Sequence, residues 1–262
     1  MELKIFQADS FTDRVFKGNP AAVVMLNSWI DEPKMQGIAL ENNLSETAFV
    51  VEKSNNFYEI RWFTPTLEVD LCGHATLAAG KVVFDHYDAH GDEIEFYSPK
   101  SGALKVIRTD DELTLDFPVD SPAKESPPDG LYEAIGEAPE ECLKGKSDFL
   151  LIFKEQSTIE QLDPNFHLLK GIPARGIICS APGNDCDFIS RFFAPASGIN
   201  EDPVTGSAHT TLTPYWSSKL SKVKMTAKQL SEREGSLTCE LRSDRVFITG
   251  KAVIYLEGVI TI

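Results

Sequence analysis

The sequence has 262 residues, which is enough for one large domain or two domains of ordinary size. Its hydrophobic fraction of 42% and aromatic fraction of 10% are typical of a globular protein with a substantial core. The formal net charge of −15 disfavours nucleic acid and anionic membranes as partners, although a requirement for solubility also accounts for such a charge.

The N-terminus, the cysteines and the histidines bear on location and metal binding. The first residues show no basic segment followed by a long apolar run, and no stretch approaches the ~20 apolar residues that cross a bilayer. The five cysteines are scattered without a CxxC pair, and the five histidines lack metal-ligand spacing. We therefore expect a cytoplasmic protein with reduced thiols and with neither a metal nor a cofactor.

The first half of the chain alternates strand and helix signals. Its predicted strands are Leu3–Ala8, Ala21–Met25, Ala48–Glu52, Tyr58–Phe63, Glu93–Tyr97, Leu104–Arg108 and Glu112–Phe117. A helix is predicted at Glu32–Asn43 because Pro33 suits its first turn, and a second at Ala75–Tyr87 because that run is almost wholly apolar.

The second half has a similar composition of elements. Its predicted strands are Phe149–Phe153, Gly176–Ser180, Phe188–Phe193, Leu237–Leu241, Arg245–Thr249 and Ala252–Ile262. One helix is predicted at Ser207–Lys219. Each half is therefore rich in strands around one buried helix, which indicates an α+β fold.

The two halves also resemble each other in sequence. The motif RWFTP, which begins at Arg61, has a counterpart in RFFAP, which begins at Arg191. Gly73 and Gly206 are separated by 133 residues, as are Gly102 and Gly235. A period near half the chain length predicts two related domains. We place them at residues 1–119 and 120–262, divided at the proline-rich run 120–128, and note that the last strand can pack with the other half.

Each half carries a glycine where a turn gives way to the buried helix. Gly73 lies in DLCGHAT and Gly206 in EDPVTGSAH. The start of a helix presents free backbone N–H groups, and glycine lets a ligand approach them closely. The two helix starts could therefore hold one small carboxylate from opposite sides, whereas on its own each glycine is explained by a tight turn.

Glu46 is the candidate acid/base group. If it lies in a strand, it shares a face with Leu44, Ala48 and Val50. A carboxyl group turned away from water holds its proton more tightly, as a group that takes and returns a proton must. The alternative is a solvated glutamate at the edge of a strand.

Four further polar residues allow more than one interpretation. Cys72 precedes a helix start and is either a nucleophile or base or a small buried thiol. His74 and His209 are each either functional or histidines of the core. Asn19, in the sequence GNP, is most simply part of a turn.

The motifs together resemble one protein family in order and spacing. FKGNPAAVV (16–24), LSETAFV (44–50), RWFTPTLEVDLCGHATLAAG (61–80) and INEDPVTGSAHTTL (199–212) are similar to the motifs of the PhzF-like, or phenazine biosynthesis-like, family. The resemblance implies a diaminopimelate epimerase-like fold, in which two pseudo-symmetric barrel-like halves are each wrapped round a central helix. It also implies an isomerase that works without a metal or cofactor.

The resemblance implies roles for individual residues. Glu46 corresponds to the family's acid/base glutamate, and His74, Asp202 and Ser207 correspond to other active-site residues, with Asn19 nearby. A small carboxylate substrate, a homodimer and the absence of nucleic acid and membrane partners complete the expectation.

Cys72 leaves two other activities open. It stands where related epimerases carry one of two catalytic cysteines, but the segment EDPVTGS contains no second cysteine. An amino-acid epimerase that uses Glu46 with Cys72 is one alternative. A binding protein without turnover is the other.

Overall fold

The structure, a computed structural model, describes residues 1–262 and separates the chain into two compact units. Unit 1 comprises Met1–Asp116 together with Thr249–Ile262, and unit 2 comprises Phe117–Ile248. The C-terminal segment therefore lies in unit 1, because its strand pairs with the first strand of the chain.

The elements follow one another in an α+β order. The strands are β1 Glu2–Ser10, β2 Asn19–Leu26, β3 Glu46–Ser54, β4 Phe57–Phe63, β5 Glu68–Val69, β6 Glu93–Ser98, β7 Gly102–Thr109, β8 Glu112–Pro118, β9 Ala123–Lys124, β10 Glu141–Lys144, β11 Asp148–Ile152, β12 Gly176–Pro182, β13 Phe188–Ala194, β14 Ile199–Asp202, β15 Lys224–Gln229, β16 Gly235–Arg242, β17 Arg245–Gly250 and β18 Ala252–Thr261. The helices are α1 Glu32–Asn42, α2 Gly73–His86, α3 Leu131–Ile135, α4 Gln156–Gln161, α5 Phe166–Leu169 and α6 Gly206–Leu220. No helix combines the length and the apolar character needed to cross a membrane.

The sheet of unit 1 mixes parallel and antiparallel pairs. β1 lies between β18 and β2 and is antiparallel to both. β2 is parallel to β3, β3 is antiparallel to β4, and β4 is parallel to β6. The two parallel pairs are each joined by a crossover that contains a helix, as parallel strands require.

Helices cover both faces of this sheet. Met35, Ile38 and Ala39 of α1 pack in one cluster with Phe49 and Val51 of β3. The alternate side chains of β3 face the other way, towards α2, which contacts β1, β2, β3, β7 and β18. Because both faces are covered, β2 and residues 46–51 of β3 are buried almost continuously instead of in alternation.

Unit 2 repeats the pairing order of unit 1. β10 is antiparallel to β11, β11 is parallel to β12, β12 is antiparallel to β13, and β13 is parallel to β15. α6 contacts β11, β15 and β16 and takes the place of α2. α3, α4 and α5 contribute to a second cluster on the other face of the strands, in the place of α1. The two units are therefore pseudo-symmetric barrel-like halves, each built round one central helix.

An arginine–glutamate pair marks the same place in both units. Arg61 on β4 donates two hydrogen bonds to Glu68 on β5, at 2.7 and 2.9 Å. Arg191 on β13 donates two to Glu201 on β14, at 2.7 and 2.8 Å. Two parallel hydrogen bonds to a carboxylate fix the geometry of the pair. Each pair therefore holds a short strand that leads into the central helix.

Two helical glycines give a matched test of the packing. A Cβ added to Gly80 of α2 would lie 2.8 Å from Cγ1 of Val106, a fully buried residue of β7, whereas one added to exposed Gly37 of α1 meets nothing within 4 Å. We expect Gly37→Ala to raise the free energy of unfolding by about 0.5–1 kcal/mol. We expect Gly80→Ala to lower it by about 1–3 kcal/mol through overpacking. Urea denaturation measures both, and equal effects would contradict this account of α2.

Candidate active site

Three segments of unit 1 bring the candidate acid/base group together with α2. Glu46 is the first residue of β3 and lies beside Ala21 of β2, and Asn19 begins β2. Gly18 precedes Asn19 with φ +65°, and a Cβ there would lie 2.2 Å from the carbonyl oxygen of Ser10. The turn therefore requires glycine, which explains the sequence GNP.

The start of α2 is fixed by hydrogen bonds from neighbouring hydroxyl groups. The Ser10 hydroxyl donates to the carbonyl oxygen of His74 at 2.8 Å. The Thr76 hydroxyl donates to the carbonyl oxygen of Cys72, the N-cap residue, at 2.6 Å. The Cys72 side chain makes no capping hydrogen bond. The first turn of α2, whose N–H groups have no partner within the helix, therefore begins beside a thiol instead of a capping oxygen.

The His74 ring lies between a thiol and a carboxylate. Its Nδ1 is 3.5 Å from Cys72 Sγ and 3.2 Å from Asn19 Nδ2, and its Nε2 is 3.2 Å from Glu46 Oε2. The Nε2–Oε2 contact lacks the angle of a good hydrogen bond, so both atoms are buried without a hydrogen-bond partner. A buried polar atom without a partner is uncommon and needs an explanation, such as a catalytic role or a bound water molecule.

The protonation of His74 determines what this cluster can do. Burial has the largest effect and lowers the pKa of His74, but neighbouring Cys72 and Glu46 outweigh it and raise the pKa well above its usual value. Burial first, and then the nearby Glu46, raise the pKa of Cys72 to about 11. The thiol is therefore protonated at neutral pH, and the Glu46 carboxylate is the charge that stabilises an imidazolium at His74.

Asn19 is placed to respond to the state of His74. With its amide nitrogen towards Nδ1, Asn19 donates to a neutral ring, whereas an imidazolium needs the amide oxygen there. The two orientations differ by a turn of the amide, which is assigned from the hydrogen-bond network. Asn19 therefore lies in direct contact with the candidate site rather than serving the turn alone.

The donor atoms of Glu46, Cys72 and His74 lie within 4.8 Å of one another and are of types that bind zinc. The thiol contacts Nδ1 of the ring and the carboxylate contacts Nε2, however, so the two groups approach different nitrogens of the ring. A tetrahedral zinc site needs one nitrogen within roughly 3.5 Å of each of the other ligands. The geometry suits a proton path through the ring better than it suits chelation.

The corresponding part of unit 2 contains Asp202, Thr205 and Gln229. The Thr205 hydroxyl donates to Asp202 Oδ2 at 2.5 Å, and the backbone N–H of Thr205 donates to Gln229 Oε1 at 2.9 Å. Gln229 Nε2 donates to the carbonyl oxygen of Asp202 at 2.7 Å. These bonds fix the loop that carries Asp202 into α6.

Ser207 lies in the first turn of α6 and is half-buried. Its Oγ accepts a hydrogen bond of 3.0 Å from Arg175 Nη2. Gly206 begins the helix, and its N-cap, Thr205, makes no capping hydrogen bond with its side chain. The helix start therefore resembles that of α2 at Gly73.

Comparison with known proteins identifies the family. A sequence profile described as phenazine biosynthesis-like protein matches residues 8–258. The chain belongs to the phenazine biosynthesis-like family. An uncharacterized isomerase of Pseudomonas aeruginosa is 50% identical to it over 98% of both chains. The crystal structure of a PhzF-family phenazine biosynthesis protein from Enterococcus faecalis is 42% identical, covers both chains completely and has a TM-score of 0.96.

A more distant structure confirms the predicted fold class. A hydroxyproline epimerase from Agrobacterium vitis is 10% identical, with a TM-score of 0.65 over 99% of this chain and 92% of its own. Its likeness therefore concerns the fold alone. The phenazine biosynthesis-like chain thus has the diaminopimelate epimerase-like fold.

The predicted site residues fall into two groups. Unit 1 brings together Asn19, Glu46, Cys72, Gly73 and His74. Unit 2 holds the other three, Asp202, Gly206 and Ser207. The convergence of both helix starts on one ligand stays a prediction.

His209 is the structural counterpart of Thr76 rather than of His74. His209 Nδ1 donates to the carbonyl oxygen of the N-cap residue Thr205 at 2.8 Å, as Thr76 does to Cys72. Burial lowers the pKa of His209 to about 4, so the ring is neutral. His209 is therefore a histidine of the core.

Sequence reasoning missed Asp148, Arg175 and Gln229. Arg175 precedes β12, and Asp148 begins β11. None of the three lies in a motif, so no local pattern indicated them. The one available signal was the repeat. Arg175 stands next to Gly176, which begins β12 as Glu46 begins β3 in the equivalent parallel pair of strands.

The raised pKa of His74 predicts a pH dependence of stability. A group whose pKa is raised on folding stabilises the protein fully below its unfolded pKa, about 6.5, and loses that contribution as the pH rises through its folded pKa. We expect the free energy of unfolding of wild type, minus that of His74→Gln, to fall between pH 6 and pH 9.5. Urea denaturation across this range measures the difference. A difference that is constant or grows with pH would refute an imidazolium at His74.

Proposed function

We propose that this chain is an isomerase that moves a proton between two carbons of a small carboxylate-bearing substrate, without a metal or cofactor. The name of the Pseudomonas relative supports the reaction class. The contact of Glu46 with His74 supports the choice of Glu46 as the proton carrier.

The observation that carries the proposal is a chemical difference between the two equivalent units. Strand pairing makes Gly176 the counterpart of Glu46, because Glu46 pairs with Ala21 and Gly176 with Asp148 in matching parallel pairs. The neighbouring positions agree, since Thr47 pairs with Phe63 and Ile177 with Phe193.

The helix starts differ in the same way. Cys72 and His74 stand where unit 2 has Thr205 and Ser207. At these three equivalent positions unit 1 thus presents a carboxylate, a thiol and an imidazole, whereas unit 2 presents a glycine and two hydroxyl groups. The carboxylate near the helix start of unit 2, Asp202, accepts a hydrogen bond from the Thr205 hydroxyl. Inversion at one carbon with two proton carriers requires a carrier on each face of the substrate. Because the acid/base glutamate, the thiol and the imidazole are all in unit 1, we favour proton transfer by a single carrier.

In the proposed reaction, Glu46 removes a proton from an activated carbon. The C–H bond breaks, its electron pair enters the adjoining unsaturated system, and the proton forms an O–H bond at Glu46. A new C–H bond then forms at a different carbon and restores the carboxylate. The His74 imidazolium stabilises ionised Glu46 before the first step and loses that interaction when the carboxylate is protonated.

The remaining residues bind and orient the substrate. First-turn N–H groups beside Gly73 and Gly206 donate hydrogen bonds to the substrate carboxylate, Asp202 accepts a hydrogen bond from the substrate, and Ser207 donates one. Asn19 sets the orientation of His74.

Cys72 keeps an epimerase open as a second candidate. The sequence of contacts from Cys72 Sγ through the His74 ring to Glu46 Oε2 would let a thiol serve as a second carrier. Proton NMR in D₂O with a panel of unsaturated amino and hydroxy acids distinguishes the two reactions. Deuterium at a new carbon with a moved double bond supports the isomerase, and inversion at one carbon without such movement favours the epimerase. A panel that binds without exchange would indicate a binding protein.

We also propose a homodimer with no nucleic acid or membrane partner. Apolar side chains left exposed on and beside β18 support a protein interface there: Tyr255, Leu256, Val259 and Ile262. Sedimentation equilibrium tests this, and a mass equal to that of a single chain would refute it.

A further inference from the structure

We propose that Arg175 is a positioning residue, which fixes Ser207 so that the serine hydroxyl donates a hydrogen bond to the substrate. The inference rests on the proposed function in one respect, that Ser207 contacts the substrate. The inference depends on three side chains that contact one another in series: Asp148 holds Arg175, and Arg175 holds Ser207.

The first of these three residues is Asp148, which begins β11 and whose side chain is 2% exposed. Arg175 Nε donates to Asp148 Oδ1 at 2.9 Å, and Arg175 Nη2 donates to Asp148 Oδ2. Nη2 also donates to Ser207 Oγ at 3.0 Å. A carboxylate bound by two atoms of a planar guanidinium determines the plane of that group. The position of the N–H that faces Ser207 is thereby determined as well.

The backbone and one aromatic ring further restrict Arg175. Its N–H donates to the carbonyl oxygen of Ser147 at 3.1 Å, and its carbonyl oxygen accepts from the Ser197 hydroxyl at 3.1 Å. Its guanidinium lies 5.6 Å from the centre of the Phe192 ring. A Cβ at Gly176 would lie 2.2 Å from Cζ of Phe192. Because Gly176, the counterpart of Glu46, has no side chain, the Phe192 ring has room to pack beside Arg175.

The charges around Arg175 show that it does not act as a free cation. Burial lowers the pKa of Arg175, but Asp148 most strongly, then Asp202 and Asp120, raise it above its usual value. The charge of the guanidinium is thus balanced by the carboxylate of Asp148, which it contacts. The function left to Arg175 is geometric.

The consequence concerns the direction of the hydrogen bond at Ser207. A serine hydroxyl both donates and accepts. Because Arg175 only donates, Ser207 Oγ is the acceptor in their bond, and the hydroxyl proton remains available. Thr210 bonds to the carbonyl oxygen of Ser207 and does not compete for that proton. Ser207 is thereby set to donate to a carboxylate or carbonyl oxygen of the substrate.

A double-mutant cycle with Arg175→Lys and Ser207→Ala tests the inference. Lysine keeps a cation beside buried Asp148 but lacks the planar fork. We expect Arg175→Lys to lower kcat/KM about tenfold, the value of one well-placed hydrogen bond, mainly through KM. In the Ser207→Ala background we expect the same change to cost less than about twofold, because residues that act through one another are not additive. The pair Asp148→Asn with Arg175→Gln serves as a second variant if Arg175→Lys folds poorly.

The same cycle is repeated with benzoate as a binding probe and benzamide as its neutral match, by ligand-observed NMR. The inference would be overturned if the two substitutions act independently, so that the loss in the double mutant equals the product of the two single losses, both in kcat/KM and in benzoate affinity. Coupled benzoate binding in a protein that shows no turnover would support the inference and count against the proposed function. A wild-type protein that neither exchanges deuterium nor binds benzoate would overturn both.

Discussion

Replacing Glu46 with Gln should abolish proton transfer almost completely. Glutamine keeps the size of the side chain and its contact with His74 but does not carry a proton. General acid–base catalysis accounts for roughly 100- to 10,000-fold in rate, and because Glu46 acts in both half-reactions we expect a loss at or beyond the upper value. Solvent deuterium incorporation, followed by NMR, measures this loss whichever product is formed.

Cys72→Ser is the matched control for Glu46→Gln, since both groups face the His74 ring at comparable distances. The thiol is protonated at neutral pH, because its pKa is raised to about 11. We therefore expect Cys72→Ser to cost less than about tenfold, or about 1.4 kcal/mol of barrier. If Glu46→Gln exchanges deuterium at the wild-type rate and Cys72→Ser does not, the base is Cys72 and the epimerase takes the place of the isomerase.

The second large effect is expected at His74. Asparagine at this position is too short to reach Glu46, so His74→Asn removes the group that stabilises the ionised carboxylate. The Nε2–Oε2 contact is an ion pair without good hydrogen-bond geometry, so we expect a loss of roughly tenfold in kcat, which is about 1.4 kcal/mol of barrier. The loss should be greatest at low pH, where the imidazolium is fully formed in the wild type. A kcat profile from pH 6 to pH 9.5 measures it.

His209→Gln is the control for a buried histidine without chemistry. His209 is neutral and bonded to the backbone of Thr205, one turn into the equivalent helix. We expect His209→Gln to lower the melting temperature and to leave kcat unchanged. A variant of His74 that loses stability but keeps kcat would show that His74, like His209, is a residue of the core.

The repeat allowed much of the fold to be predicted from the sequence. The matching of Arg61 with Arg191 and of Gly73 with Gly206 was apparent because each pair performs the same task in both units: an arginine holds a short strand, and a glycine begins the central helix. The central helices begin at Gly73 and Gly206, one or two residues earlier than predicted. The short helices α3, α4 and α5 were not predicted, since segments of four to six residues are too brief to show a period.

The site was predictable only in part. Glu46 does lie on the α2 side of β3 with Ala48 and Val50, but Leu44 packs against the cluster on the opposite side. Alternation alone could not have identified Glu46, because both faces of β3 are buried. Arg175 and Asp148 could not be identified from the sequence for a different reason. Arg175 contacts Asp148 and Ser207, which lie in separate segments, and neither Arg175 nor Asp148 lies in a motif.

A single proton carrier is the central claim, and an internal-transfer experiment tests it most directly. Substrate that carries deuterium at the carbon from which the proton is removed is converted in H₂O, and the product is examined by NMR. One carboxyl group that takes and returns the same proton should carry a measurable fraction of the deuterium to the new carbon, more at high turnover rates than at low. Complete loss of deuterium to solvent at every rate, with inversion at the original carbon, would contradict the account.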